Sequence, residues 1–148
     1  MIHIESDFSF PEDLLERAAQ AALKHEFADQ EVDLSIVLTD NARLHELNLN
    51  YLGVDSPTDV LSFPALETDP ETGARYLGDI LISIPRAQAQ AEAAGHALES
   101  EVQLLVVHGV LHLLGHDHAE PEEKNRMWKA QAEILESLGL GSIQIREE

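Results

Sequence analysis

The chain contains no cysteine. That excludes disulfides, thiolate metal sites and cysteine nucleophiles together, so a bound metal would have to be held by His, Asp or Glu. Bases are scarce as well: nine Lys and Arg stand against 28 Asp and Glu, for a net charge of −19. Non-specific nucleic-acid binding depends on cations that neutralise phosphates, and their scarcity argues against a generic, sticky binder. A nucleic-acid substrate would have to be engaged locally, against an unfavourable overall field. Most of the acids are read as solvated helix faces that serve solubility. No apolar run approaches the roughly 20 residues that cross a bilayer. The start, Met1-Ile2-His3-Ile4-Glu5, lacks the basic and apolar regions of a signal peptide, and the expected location is the cytoplasm.

What is present fits one globular α/β domain over residues 1–148, with 44% apolar and 25% charged residues. A chain of this length buries roughly 68–70% of its unfolded surface. Residues 2–5 alternate as a short strand. Ser9 and Glu12 have capping-box spacing, and Pro11 suits a first turn, so a helix is predicted to about Phe27 on Leu14, Leu15, Ala18, Ala22 and Leu23. His25 is expected on the surface near its end. Residues 32–38 form a second strand. Thr39 or Asp40 caps a helix with stripe Leu44, Leu47 and Leu49, ending before Gly53. Pro57 and Pro64 bracket a third strand of about five residues, in which Thr58, Asp59 and Ser62 either cap turns or face a site. Residues 67–75 read as an exposed loop, and 77–84 as a strand buried on both faces. Pro85 opens a helix that ends near Gly95. Ser100 and Gln103 form a second capping-box pattern before a helix apolar almost all round, the expected central core helix. Pro121 opens a last helix to about Leu138, with Met127, Ala130, Ile134 and Leu138 inward. The order β-α-β-α-β-β-α-α-α predicts a mixed four-stranded sheet with a central helix and flanking helices.

That central helix leads into His108-Gly109-Val110-Leu111-His112-Leu113-Leu114-Gly115-His116-Asp117-His118, which holds four of the eight histidines. His108 and His112 lie one helical turn apart on one face. Gly115 can end the helix and turn the chain back, bringing His118 within reach as a third ligand. Three imidazoles with an open fourth position hold a catalytic zinc, and the spacing matches the histidines and glycine of the metzincin pattern. His108, His112 and His118 are therefore predicted metal ligands, and catalytic through the metal. Zinc peptidases of that pattern carry a Glu directly after the first His as general base. Here the position is Gly109, which cannot move a proton, and this argues against ordinary peptidase chemistry. Asp117 either orients a ligand imidazole or bonds its own backbone in a turn. His116 is read as a pocket wall or surface residue rather than a fourth ligand, and Asp59 and Ser62 as candidate site residues.

With these residues in view, the chain resembles the YbeY family of bacterial metal-dependent endoribonucleases. The segment 108–118 carries the resemblance, and Pro57 through Pro64, Leu77 through Ser83 and the tail Met127 through Gly139 agree with it in order. The resemblance implies one Zn2+ held by His108, His112 and His118. It also implies single-strand-specific cleavage in maturation of the small-subunit ribosomal RNA 3′ end and in ribosome quality control, with the small ribosomal subunit and the GTPase Era as partners. One position departs from it. After Asn48-Leu49-Asn50-Tyr51 the family typically carries an arginine, thought to sit near the metal and engage phosphate, whereas this chain has Leu52. A leucine makes no charge-assisted phosphate bond, and no Lys or Arg lies between Arg43 and Arg75. Either another base such as Arg75 or Arg86 supplies the contact, or the RNase activity is weak or altered. Two alternatives stand beside the nuclease: a zinc-containing ribosome-assembly factor that binds without cutting, and a metal-dependent hydrolase of another substrate.

Overall fold

Alternating apolar residues set the sheet. A computed structural model describes residues 2–26, 32–56, 58–68, 70–71, 73–116 and 120–141. Its strands are β1 (Ile2–Ser6), β2 (Val32–Thr39), β3 (Val60–Thr68) and β4 (Arg75–Ser83). They form one four-stranded sheet in the order β1-β2-β4-β3. β1, β2 and β4 run parallel, and β3 pairs antiparallel with β4 at one edge. The expected mixed sheet and element order are therefore present.

The period of two sorts each strand's side chains between two cores. Leu34, Ile36, Leu38, Ile80 and Ile82 are buried in the main core with the helices α1 (Glu12–His25), α4 (Leu98–Leu113) and α5 (Pro121–Ser137). Leu61 and Leu81 join Leu44 in a smaller cluster, with Val37, Leu47 and Phe63 packed against it. Leu44 and Leu47 come from α2 (Asn41–Leu52), so α2 covers the face opposite α4. The remaining helix, α3 (Ile84–Ala94), follows β4 directly, with Ser83 accepting from the Arg86 amide as its cap.

α4 is central because every side of it is apolar. Residues 101–107, 109–111 and 113 are all buried, as the sequence predicts. At Gly109 it presses close against the sheet. A Cβ there would lie 2.8 Å from Ile80 Cγ2, so only glycine lets the helix approach this near.

Several sequence expectations are corrected. Neither capping box forms. α1 starts after Pro11 without a side-chain cap, which leaves Ser9 outside the helix, and α4 starts at Leu98, which puts Ser100 inside its first turn. Gln103 instead donates to the Glu99 carbonyl. β3 does not stop at Pro64 but runs to Thr68, and residues expected in an exposed loop pair with β4, Glu67 opposite Tyr76 and Thr68 opposite Arg75. An edge strand tolerates the missing proline N–H, and the register shifts between Pro64 and Glu67. Leu49 lies outside the buried stripe of α2; Asn48 occupies the inward position and donates to the Ser56 carbonyl at 2.9 Å. His25 is half-buried rather than on the open surface.

Candidate metal centre and cleft

The spacing of four in α4 places His108 and His112 side by side. Their Nε2 atoms stand 3.1 Å apart, and their rings meet edge-on with centroids 4.6 Å apart. The His108 Nδ1–H donates to Gln131 Oε1 at 2.7 Å. An amide oxygen only accepts, so Nδ1 carries the proton and Nε2 turns a lone pair toward His112. Trp128, one turn before Gln131 on α5, sets its ring edge-on to His108 at 6.1 Å between centroids. Thus α5 fixes the orientation of a histidine that α4 supplies.

The two imidazoles open into a cleft of about 350 Å³ lined also by Asn48, Leu52, Thr58, Val60, Leu61, Ser62 and Pro64. Its walls are the last turn of α2 and the edge strand β3. Ser62, a predicted site residue, is in the cleft, and its hydroxyl donates to the Gly109 carbonyl at 3.4 Å. Asp59 does not line it. The Asp59 side chain is buried beside the strand start, with Oδ1 accepting from Thr58 and Oδ2 without a hydrogen-bond partner among the described residues. No carboxylate lines the cleft among the described residues.

The helix end behaves as the sequence predicts. The Gly115 amide donates to the His112 carbonyl and the His116 amide to the Leu111 carbonyl, with Gly115 at φ 99°. This is a Schellman turn, and it requires a left-handed residue at that point. His116 is placed away from the cleft. Its Nε2 is hydrogen-bonded to Glu26 Oε1, and it lines a separate cavity with Leu114, Gly115, Glu123 and Arg126. Glu26 also accepts from His25 Nδ1 at 2.7 Å. Burial raises the Glu26 carboxyl, but the hydrogen bonds from His116 and His25 outweigh it and hold the group below its usual value. Asp117 and the third predicted ligand, His118, lie outside the described residues.

Among the described residues no third donor joins His108 and His112, and the spacing of that pair suits two ligands of one zinc ion. Two ligands of a tetrahedral zinc, each at about 2.0–2.1 Å, have their nitrogens about 3.3 Å apart, and the observed pair is within a few tenths of an ångström of that. Outer hydrogen bonding of the Gln131 kind is what metal-ligating histidines normally carry.

Two residues of the site escaped the sequence, Gln131 behind His108 and Asn48 in the cleft wall. Gln131 is 2% exposed and stands four residues after Met127 and three before Ile134, so a polar residue in register with the apolar stripe was its signal. Asn48 interrupts the α2 stripe in the same way. Arg75 and Arg86, the bases considered as substitutes for the missing arginine, are exposed and do not line the cleft, whereas Leu52 does.

The family model described as Endoribonuclease YbeY matches residues 3–139. Among curated relatives, the Endoribonuclease YbeY of Pelotomaculum thermopropionicum is 48% identical over 130 residues, covering 86% of each chain. That of Brevibacillus brevis is 45% identical over 141 residues, covering 87% of each. The solution structure of TM1509 from Thermotoga maritima superimposes with a TM-score of 0.61 at 25% identity, over 99% of this chain and 97% of that one. A shared sequence along nearly the whole chain, on a shared fold, means that this protein belongs to the YbeY endoribonuclease family.

Proposed function

We propose that this chain is a zinc-dependent endoribonuclease that cuts single-stranded RNA, and that it acts at the 3′ end of small-subunit ribosomal RNA. The observation that carries the zinc is the pair of Nε2 atoms 3.1 Å apart at the cleft, with the His108 tautomer set by Gln131. His108 and His112 would hold the ion with His118, which lies ten residues after His108. A zinc ion supplies Lewis acidity there, polarising a phosphoryl oxygen and acidifying water. Gln131 keeps the His108 lone pair aimed at the ion. Asn48, Thr58 and Ser62 are neutral hydrogen-bonding groups in the cleft, able to orient a phosphoryl or sugar oxygen without repelling it. Gly109 faces Ile80 rather than the cleft, so the base of the zinc peptidases has no counterpart. Association with the small ribosomal subunit and the GTPase Era in the cytoplasm belongs to the same proposal and rests on the family resemblance. No helix among the described residues is long and apolar enough to cross a membrane.

One observation favours a second function, assembly factor rather than nuclease. Leu52, 59% exposed, lines the cleft where a phosphate-binding arginine is expected, and no base replaces it there among the described residues. A single experiment separates the two. Zinc content and cleavage of a single-stranded RNA are measured for wild type, His112→Ala, Leu52→Arg and EDTA-treated protein. The nuclease requires cleavage that EDTA and His112→Ala abolish, and tighter RNA binding with Leu52→Arg. Stoichiometric zinc with no cleavage in either wild type or Leu52→Arg would leave only the assembly factor.

A further inference from the structure

The exposed large hydrophobic residues of the described chain fall in one run at the end of α2. Leu49, Tyr51, Leu52 and Val54 are 44%, 70%, 59% and 46% exposed. The run is continuous with the candidate active site, because Leu52 also lines the cleft that holds His108 and His112. Tyr51 is not loose within it. Its ring meets Phe63 edge-to-face, with centroids 5.7 Å apart at 65°. Phe63 is in turn packed against the Leu44, Leu61 and Leu81 cluster, so the exposed ring is backed by an anchored one.

The charge around this ring selects its ligand. No Lys or Arg lies between Arg43 and Arg75. Arg43 is at the far end of α2, roughly 13 Å from Leu52 at 1.5 Å per residue. Glu46 and Asp55 are exposed nearby, Asp55 hydrogen-bonded to His45 Nε2 at 2.7 Å, so the carboxylates there outnumber the one titratable base. Phosphates are repelled from such a surface, whereas the neutral π-face of a base is not. Base–aromatic stacking is indifferent to sequence and needs a base freed from its helix.

We propose that Tyr51, held by Phe63, is a stacking platform for an unpaired base of the RNA strand whose phosphate lies at His108 and His112. This rests on the endoribonuclease function above and extends it: the strand is gripped by a base where the missing arginine would have gripped a phosphate. Selection for single strands then follows at this position, since a paired base presents no free face.

The test uses zinc-loaded full-length protein and a short, fluorescein-labelled 2′-O-methyl oligoadenylate, whose intact length is confirmed on a gel after each titration. A second set of oligonucleotides carries one abasic residue, moved along the strand. Tyr51→Ala is expected to weaken binding of the parent strand by about 10-fold, while Tyr51→Phe keeps it. At one position the abasic strand binds wild type about 10-fold more weakly and costs Tyr51→Ala nothing further. Thermal melts should match wild type, because the side chain is mostly exposed. Unchanged binding by Tyr51→Ala, or losses that multiply at every abasic position, would overturn the platform alone. So would a wild-type dimer that Tyr51→Ala dissociates with RNA affinity intact, since the patch would then cover a second copy. Wild type that holds zinc but binds no RNA would overturn the endoribonuclease function, and the platform with it.

Discussion

Replacing Gly109 by alanine sets two known effects against each other. In an ordinary helix interior the change stabilises by about 0.5–1 kcal/mol, through the lost backbone freedom of glycine. Here the new methyl would lie 2.8 Å from Ile80 Cγ2, with Cδ1 and Cγ1 at 3.1 and 3.2 Å. Both residues are buried, so neither can turn away freely. Overpacking of that kind costs about 1–3 kcal/mol. The steric term wins, leaving a net loss of about 0.5–2 kcal/mol, which lowers Tm by roughly 2–6 °C for a domain of this size. Urea unfolding of EDTA-treated protein measures it without a metal contribution. The cause is isolated in the Ile80→Ala background, where all three opposing atoms are gone. Ile80→Ala alone costs about 2–5 kcal/mol, but adding Gly109→Ala to it should stabilise by up to about 1 kcal/mol. Equal stabilisation by Gly109→Ala in both backgrounds would refute close helix–sheet approach as the reason for glycine here. It would also reopen position 109 as a place from which a side chain could reach the cleft.

Two further outcomes are expected. Gln131→Leu leaves the His108 Nδ1–H without its acceptor and should weaken zinc binding about 10- to 100-fold, with Gln131→Glu close to wild type; a chelator competition titration reads both, and equal affinities would show that Gln131 does not support the ligand. The Glu26 carboxyl is depressed below its usual 4.5 in the folded chain, so it contributes stability that is present above the unfolded value and lost as pH falls through the folded one; the stability gap between wild type and Glu26→Gln in EDTA should therefore close on acidification, and a gap constant through that range would contradict the His116–Glu26–His25 arrangement.

Much of this molecule is legible in its sequence because two periods dominate it. Alternation in residues 32–38 and the apolar girth of α4 fix the sheet and its central helix, and the spacing of four between His108 and His112 fixes the pair. What sequence could not give depends on neighbours distant in the chain. Gly109 looks like a catalytic base deleted, and only Ile80 on β4 explains why nothing larger fits. Gln131 is polar on an apolar stripe, and its partner lies 23 residues earlier on another helix. Pro64 reads as a strand terminator, yet β3 passes through it because β3 is an edge. The capping boxes fail for a local reason: backbone geometry starts α1 after Pro11 and α4 at Leu98, out of register with Ser9 and Ser100. His116 sits inside the histidine motif of residues 108–118 but is turned to Glu26, a residue 90 positions away.

The metal centre is tested most directly by zinc X-ray absorption on the loaded protein. Three nitrogen neighbours at about 2.0–2.1 Å with the outer scattering of imidazole rings are expected, falling to two imidazoles or to no bound zinc in His112→Ala. A zinc shell made of oxygen alone, or a spectrum unchanged by His112→Ala, would contradict the assignment of His108 and His112 as ligands.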